Sequence, residues 1–184
     1  MPNIIIIPGK DEYEDTNAVS DVLHYCMHSR WTRDFDTRFV SLGENTNLMA
    51  LQFQMVQNVY NYKNGRKLHH FVLGFGDIYY VEAEIIGHVM ELVLDYFKEK
   101  GFQIVGVIQR GSNKKAWYQH IHFILNHISI YGDLFYGRKC DYIELARYLG
   151  DLSKYKFTCV ERYDYNDDYY EWEKECSKRT CFTY

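Results

Sequence analysis

Residues 118–127 read Tyr-Gln-His-Ile-His-Phe-Ile-Leu-Asn-His, and how this stretch is read decides the fold. As a strand it alternates faces: His120 and His122 share one side, Ile121 and Phe123 take the other, and Asn126 returns to the histidine side. Phe102–Ile108 reads as a preceding strand that ends in Gln109. Residues 110–117 form a polar loop, so the two strands make an antiparallel hairpin. Two imidazoles on one face of a stiff strand are suited to a divalent metal, because neutral imidazole is a good ligand. The same spacing fits two hydrogen-bonded histidines on a polar sheet face. Residue spacing alone leaves both readings open.

Other elements follow on either side. Asn3–Ile7 reads as an apolar strand stopped by Pro8-Gly9. Asn17–His28 has helical spacing in Val19, Val22, Leu23, Cys26 and Met27, with Thr16 or Asn17 as a cap. Residues 29–44 show no periodicity apart from Phe39-Val40. A second helix runs from a Thr46 or Asn47 cap to about Tyr60. His69–Phe75 is an aromatic strand, Val81–Lys100 the clearest helix, and Gly101 its stop. Asp141–Leu152 reads as a helix and Tyr155–Glu161 as a last strand. The expected fold is α+β: a central antiparallel sheet with flanking helices and the His-x-His pair on a central strand. Residues 1–160 form one domain, and 161–184 an acidic, tyrosine-rich tail.

Of 184 residues, 47% are hydrophobic and 25% charged, ordinary for a water-soluble domain. Eighteen tyrosines suit base stacking and core packing alike. The net charge of −4 weighs against nucleic acid, but residues 161–175 alone carry −5, so the rest carries +1. Basic clusters then stand out at Arg30, Arg33 and Arg38, at Lys63, Arg66 and Lys67, at Arg110, Lys114 and Lys115, and at Arg138 and Lys139. Each fits a phosphate contact and each fits an ordinary solvated loop. The five cysteines are odd in number and lack CxxC spacing, and no signal peptide or membrane span is legible. A reduced, cytoplasmic protein is expected.

Five blocks, taken in order, resemble a plasmid relaxase, a mobilisation nuclease of the MobP type. Tyr25-Cys26-Met27-His28-Ser29-Arg30-Trp31-Thr32 resembles the family's tyrosine block. Gly43-Glu44-Asn45-Thr46 resembles its Gly-x-Asn-Cys turn, with threonine for cysteine. His70-Phe71-Val72-Leu73-Gly74-Phe75 resembles a His-Phe-Val-x-Ser-Phe strand, with Gly74 for serine. His120-Ile121-His122-Phe123-Ile124-Leu125-Asn126 resembles the His-x-His-x-x-x-Asn block, and Gly132 follows at the family's glycine turn.

The resemblance implies a metal-dependent, site- and strand-specific single-strand DNA endonuclease that nicks a transfer origin for conjugative mobilisation. Tyr25 would be the nucleophile, leaving a 5′-phosphotyrosine link and a free 3′-hydroxyl. His120 and His122 would be metal ligands and Asn126 a catalytic residue that orients a ligand or the phosphate. Where the family has a third metal histidine in a His-x-Asp segment, this chain has Gln109-Arg110-Gly111. Gln109 as an oxygen ligand favours a harder ion, magnesium or manganese. His70, Arg30, Arg110, Lys114 and Lys115 would contact DNA. Expected partners are single-stranded origin DNA, accessory mobilisation proteins and a coupling protein. Two alternatives stand beside this reading: a relaxase-fold DNA-binding protein with little or no cleavage, and a metal-binding protein unrelated to nucleic acid.

Overall fold

The computed structural model describes residues 2–7, 13–28, 32–40, 42–43, 45–75, 81–110, 119–153 and 155–160; for 32–36, 110 and 159–160 the description is of the backbone alone. The tail 161–184 lies outside the described residues. In chain order the elements are β1 Asn3–Ile7, α1 Ala18–Met27, β2 Thr32–Val40, α2 Thr46–Val59, β3 Leu68–Gly74, α3 Ala83–Glu99, β4 Ile104–Arg110, β5 Gln119–Asn126, α4 Lys139–Ser153 and β6 Thr158–Val160.

One sheet in the order β2-β4-β5-β3-β1-β6 results, and the fold is α+β. β2, β4, β5, β3 and β1 pair antiparallel, and β6 adds to β1 in parallel. The histidine strand β5 therefore sits between β4 and β3, with its ladder satisfied on both edges. β2 is a strand that the sequence pattern does not show. Among the described residues it is an edge strand that pairs with β4 alone, and its register shifts between Thr32 and Thr37. A strand with one neighbour and a broken register needs no clean alternation, and its charged residues suit an edge that must not recruit another chain.

Helices cover both faces of the sheet. On one side Phe71, Leu73, Ile104, Ile121, Phe123 and Leu125 pack against α3 and α4 residues such as Val93, Phe97, Tyr142 and Leu145. On the other, Leu68, Val105, Val107 and Ile124 pack against Val19, Leu23, Cys26, Met49 and Phe53 of α1 and α2. Every residue of β3 is buried, as are seven of the eight in β5. The histidine face of β5 is thus not a solvated face; α1 lies over it.

Local signals set the helix ends. Asn45 caps α2, one residue before the expected Thr46 or Asn47: its side-chain oxygen accepts from the Asn47 and Leu48 amides at 2.9 and 3.4 Å. Gly101, at φ +76°, ends α3, and the Phe102 amide reaches back to the Phe97 carbonyl at 2.9 Å. Asn17 stands before α1 without a side-chain cap bond, while Asp15 accepts from its amide at 2.6 Å. Among the described residues, no helix is long and apolar enough to cross a membrane.

Candidate metal centre

Register between β3 and β5 builds the site. His70 lies opposite Ile124 and His122 opposite Val72, so the two histidines are diagonal neighbours on one face. His70 Nε2 and His122 Nδ1 share a hydrogen bond of 2.8 Å. The last turn of α1 lowers Cys26 onto the same face, with Sγ 3.9 Å from His70 Nε2. Tyr13 closes the other side of the ring: its hydroxyl is 3.2 Å from His70 Nδ1. Cys26, His70 and His122 each offer one ligand atom, all within 4.8 Å of one another and all buried, and this group could hold a metal ion.

Burial sets the charge state. It pushes His70 down to about 3 and His120 to about 4. His122 is held well below the usual histidine range by burial, and then by the neighbouring His120 and His70. All three rings are neutral at pH 7, the form that binds a cation. The same burial pushes the Cys26 thiol and the Tyr13 phenol up, so both are protonated without a cation nearby. A neutral imidazole carries one proton, which is why the Tyr13–His70–His122 chain has a direction. Among the described residues, His122 Nε2 is buried and has no hydrogen-bond partner. A buried polar atom left this way costs about 1–3 kcal/mol unless something binds it.

Tyr25 stands beside this group. It projects from α1 one residue before Cys26, is 50% exposed, and sets its ring edge-on to His122 at 6.2 Å between centroids. One helix turn thus carries a surface phenol and a buried thiol, and both reach His122 or its partner. His120 lies next to the group, its ring 4.9 Å from that of His122. Gln109 faces His120 across the β4–β5 ladder and is buried, and its amide nitrogen donates to the Cys26 carbonyl at 3.1 Å. That bond ties the end of α1 to β4.

The structure places the remaining expected residues elsewhere. Asn126 is fully buried four residues along β5 from His122, a strand distance of ~13 Å. Its Nδ2 donates to Gln103 Oε1 at 2.8 Å and to the Phe53 carbonyl at 3.2 Å. Its Oδ1 accepts from Gln57 Nε2 at 3.0 Å and from the Ile128 amide at 3.4 Å. It joins β5 to α2 and to Gln103, the residue just before β4, and is not a member of the histidine cluster. His70, expected at a phosphate, is 1% exposed and bonded to His122, so it reaches no surface. Arg30, Lys114, Lys115 and the side chain of Arg110 lie outside the described residues.

Sequence reading passes over Cys26 and Tyr13. Cys26 sits beside Tyr25 within the tyrosine block, yet its convergence on His70 depends on how α1 crosses the sheet. Tyr13 has no pattern that marks it. Comparisons with protein-family models, with curated proteins and with solved structures found no match to this chain.

Proposed function

We propose that the chain is a tyrosine-dependent single-strand DNA nickase of the relaxase type, acting at a plasmid or mobile-element transfer origin. The observation that carries this reading is the half-exposed Tyr25 set 6.2 Å, ring to ring, from the buried His122. A nucleophile and the groups that hold its target must lie close to one phosphate, and the nearness of the two rings supports that arrangement. The Tyr25 oxygen attacks phosphorus, the bond from phosphorus to the 3′-oxygen breaks, and the 3′-oxygen leaves as a hydroxyl. The phosphodiester energy is kept in a tyrosyl ester, so the step is reversible. Exposure of Tyr25 gives its proton a direct route to water. His122 Nε2 is buried and, among the described residues, has no hydrogen-bond partner, so its place in this reading is beneath Tyr25, on the metal side of the site. A divalent ion bound at the cluster would polarise the phosphate and offset its charge.

The sequence expectation of magnesium or manganese rests on the Gln109 oxygen acting with His120 and His122. Accessory mobilisation proteins and a coupling protein would supply transfer steps beyond the nick, in the cytoplasm. The test is covalent capture. The full chain is incubated with labelled single-stranded origin DNA and magnesium, manganese or zinc, then resolved under denaturing conditions. A labelled protein band in wild type that disappears in Tyr25→Phe supports the reading. An equal band in Tyr25→Phe, or none in wild type with any ion, refutes it. DNA binding without an adduct would mark a relaxase-fold binding protein instead. The burial of the whole Cys26, His70 and His122 group favours a second reading, a metal protein that does not act on nucleic acid. Failure of the chain to retain single-stranded DNA at low salt would select it.

A further inference from the structure

The geometry points to a thiolate–bis-imidazole site, made by Cys26, His70 and His122, for a thiophilic divalent ion of the zinc class. This rests on the metal-dependent reading above and changes which residues hold the ion and which ion they take. The donor atoms are one sulfur and two imidazole nitrogens, with no carboxylate in the group. Magnesium and manganese prefer oxygen ligands in near-octahedral shells, whereas thiolate and imidazole suit zinc and its soft neighbours.

Spacing agrees with the assignment. A tetrahedral ion with ordinary bond lengths holds two nitrogens ~3.3 Å apart and nitrogen from sulfur ~3.6 Å apart. Here His70 Nε2 to His122 Nδ1 is 2.8 Å and Cys26 Sγ to His70 Nε2 is 3.9 Å. These two separations lie within about half an ångström of the tetrahedral values, and the three donors all lie within 4.8 Å of one another, so seating the ion draws the sulfur and His122 together. The outer nitrogen of His70 faces the Tyr13 hydroxyl at 3.2 Å, the arrangement that fixes a ligand imidazole with its other nitrogen inward. Gln109 holds the Cys26 carbonyl at 3.1 Å and so steadies the turn that carries the sulfur. Among the described residues the group supplies three protein ligands, all buried.

Proton balance is simple. Both imidazoles bind as neutral rings, with their single protons on His70 Nδ1 and His122 Nε2. Cys26 must give up its thiol proton to bulk buffer, so one proton leaves per ion bound. No oxidant or other reactant is required.

The test needs no DNA, so it can fail or succeed separately from the nicking reading. The full chain, stripped with a chelator, is titrated with cobalt(II) as the spectroscopic substitute for zinc. One equivalent is expected to give a near-ultraviolet sulfur-to-cobalt charge-transfer band and the visible bands of a tetrahedral ion. One equivalent of zinc should abolish both; a thousandfold excess of magnesium should leave them. Cys26→Ser should lose the charge-transfer band, while His120→Ala should keep it. X-ray absorption of the zinc-loaded wild type, which does not depend on any variant folding, should show one sulfur and nitrogen neighbours. A shell without sulfur, or a charge-transfer band that persists in a folded Cys26→Ser, would overturn the proposal.

Discussion

Asn126→Ala is expected to be among the more destabilising single changes in this chain, although the family resemblance implies a catalytic role for Asn126. Its side chain makes four hydrogen bonds at full burial, two from each end of the amide. Truncation removes both side-chain amide links, to Gln57 and to Gln103, and loosens Phe53 and Ile128. A buried hydrogen bond contributes about 1 kcal/mol net, and stranded partners add desolvation costs of similar size. Gln57 keeps its bond to the Lys67 carbonyl at 2.8 Å, and the Phe53 carbonyl keeps its place in α2, which limits the loss. The sum is about 3 kcal/mol, or ~6–12 °C in melting temperature for a domain of this size. Urea denaturation followed by circular dichroism measures it, with unchanged slope as the check that only stability moved. A double-mutant cycle with Gln57→Ala should return a coupling near 1 kcal/mol. At a temperature where the variant is folded, its cobalt spectrum should match wild type. A loss below about 1 kcal/mol would show that water or neighbours replace these bonds, and would return Asn126 to consideration as a functional residue.

Stability of the metal-free protein should fall with acid. His70 and His120 are held near 3 and 4 when folded, so between those values and about 6.5 the unfolded chain binds more protons. Stability is complete above pH 6.5 and declines below it by up to about 1.4 kcal/mol per pH unit for each histidine; a urea midpoint unchanged between pH 7.5 and 5 would contradict this. Tyr25→Phe should leave stability within about 0.5 kcal/mol of wild type, since the phenol is half-exposed, so any loss of adduct reflects chemistry and not folding. Gly137→Ala should cost about 1–3 kcal/mol, because φ is +62° there and the new methyl carbon would meet the His69 ring 2.5 Å away. Thermal melts of purified variants read both.

The alternative placements of the ion differ in what they ask of the chain. A site on His120, His122 and Gln109 uses donors on two adjacent strands. A site on Cys26, His70 and His122 draws β3, β5 and α1 together, so ion binding would stabilise the docking of α1 on the sheet. Tyr25 rides on that same helix turn. Metal occupancy and the placement of Tyr25 are therefore linked directly through α1 in the second arrangement, and in the first only through the Gln109 bond to the Cys26 carbonyl.

Local pattern carried most of the fold. Apolar periodicity located the four helices of the described residues, Gly101 marks a real end while the cap of α2 falls on Asn45 and not on the expected Thr46 or Asn47, and alternation in residues 119–126 gave the histidine strand and its antiparallel pairing to β4. β2 escaped because an edge strand with one partner need not alternate. For the site, neither partners nor burial could be read along the chain: His120 and His122 share a face by the two-residue period of any strand, but what faces them depends on contacts distant in sequence. That His70 sits one diagonal from His122, that Cys26 descends on it from α1, that Tyr13 holds its far nitrogen, and that Asn126 is consumed by Gln57, Gln103 and Phe53 all follow from the β3–β5 register and the crossing of α1 and α2. Periodicity is a property of neighbours along the chain and can be read there. Convergence of donors joins residues 26, 70 and 122, and only tertiary packing brings them together.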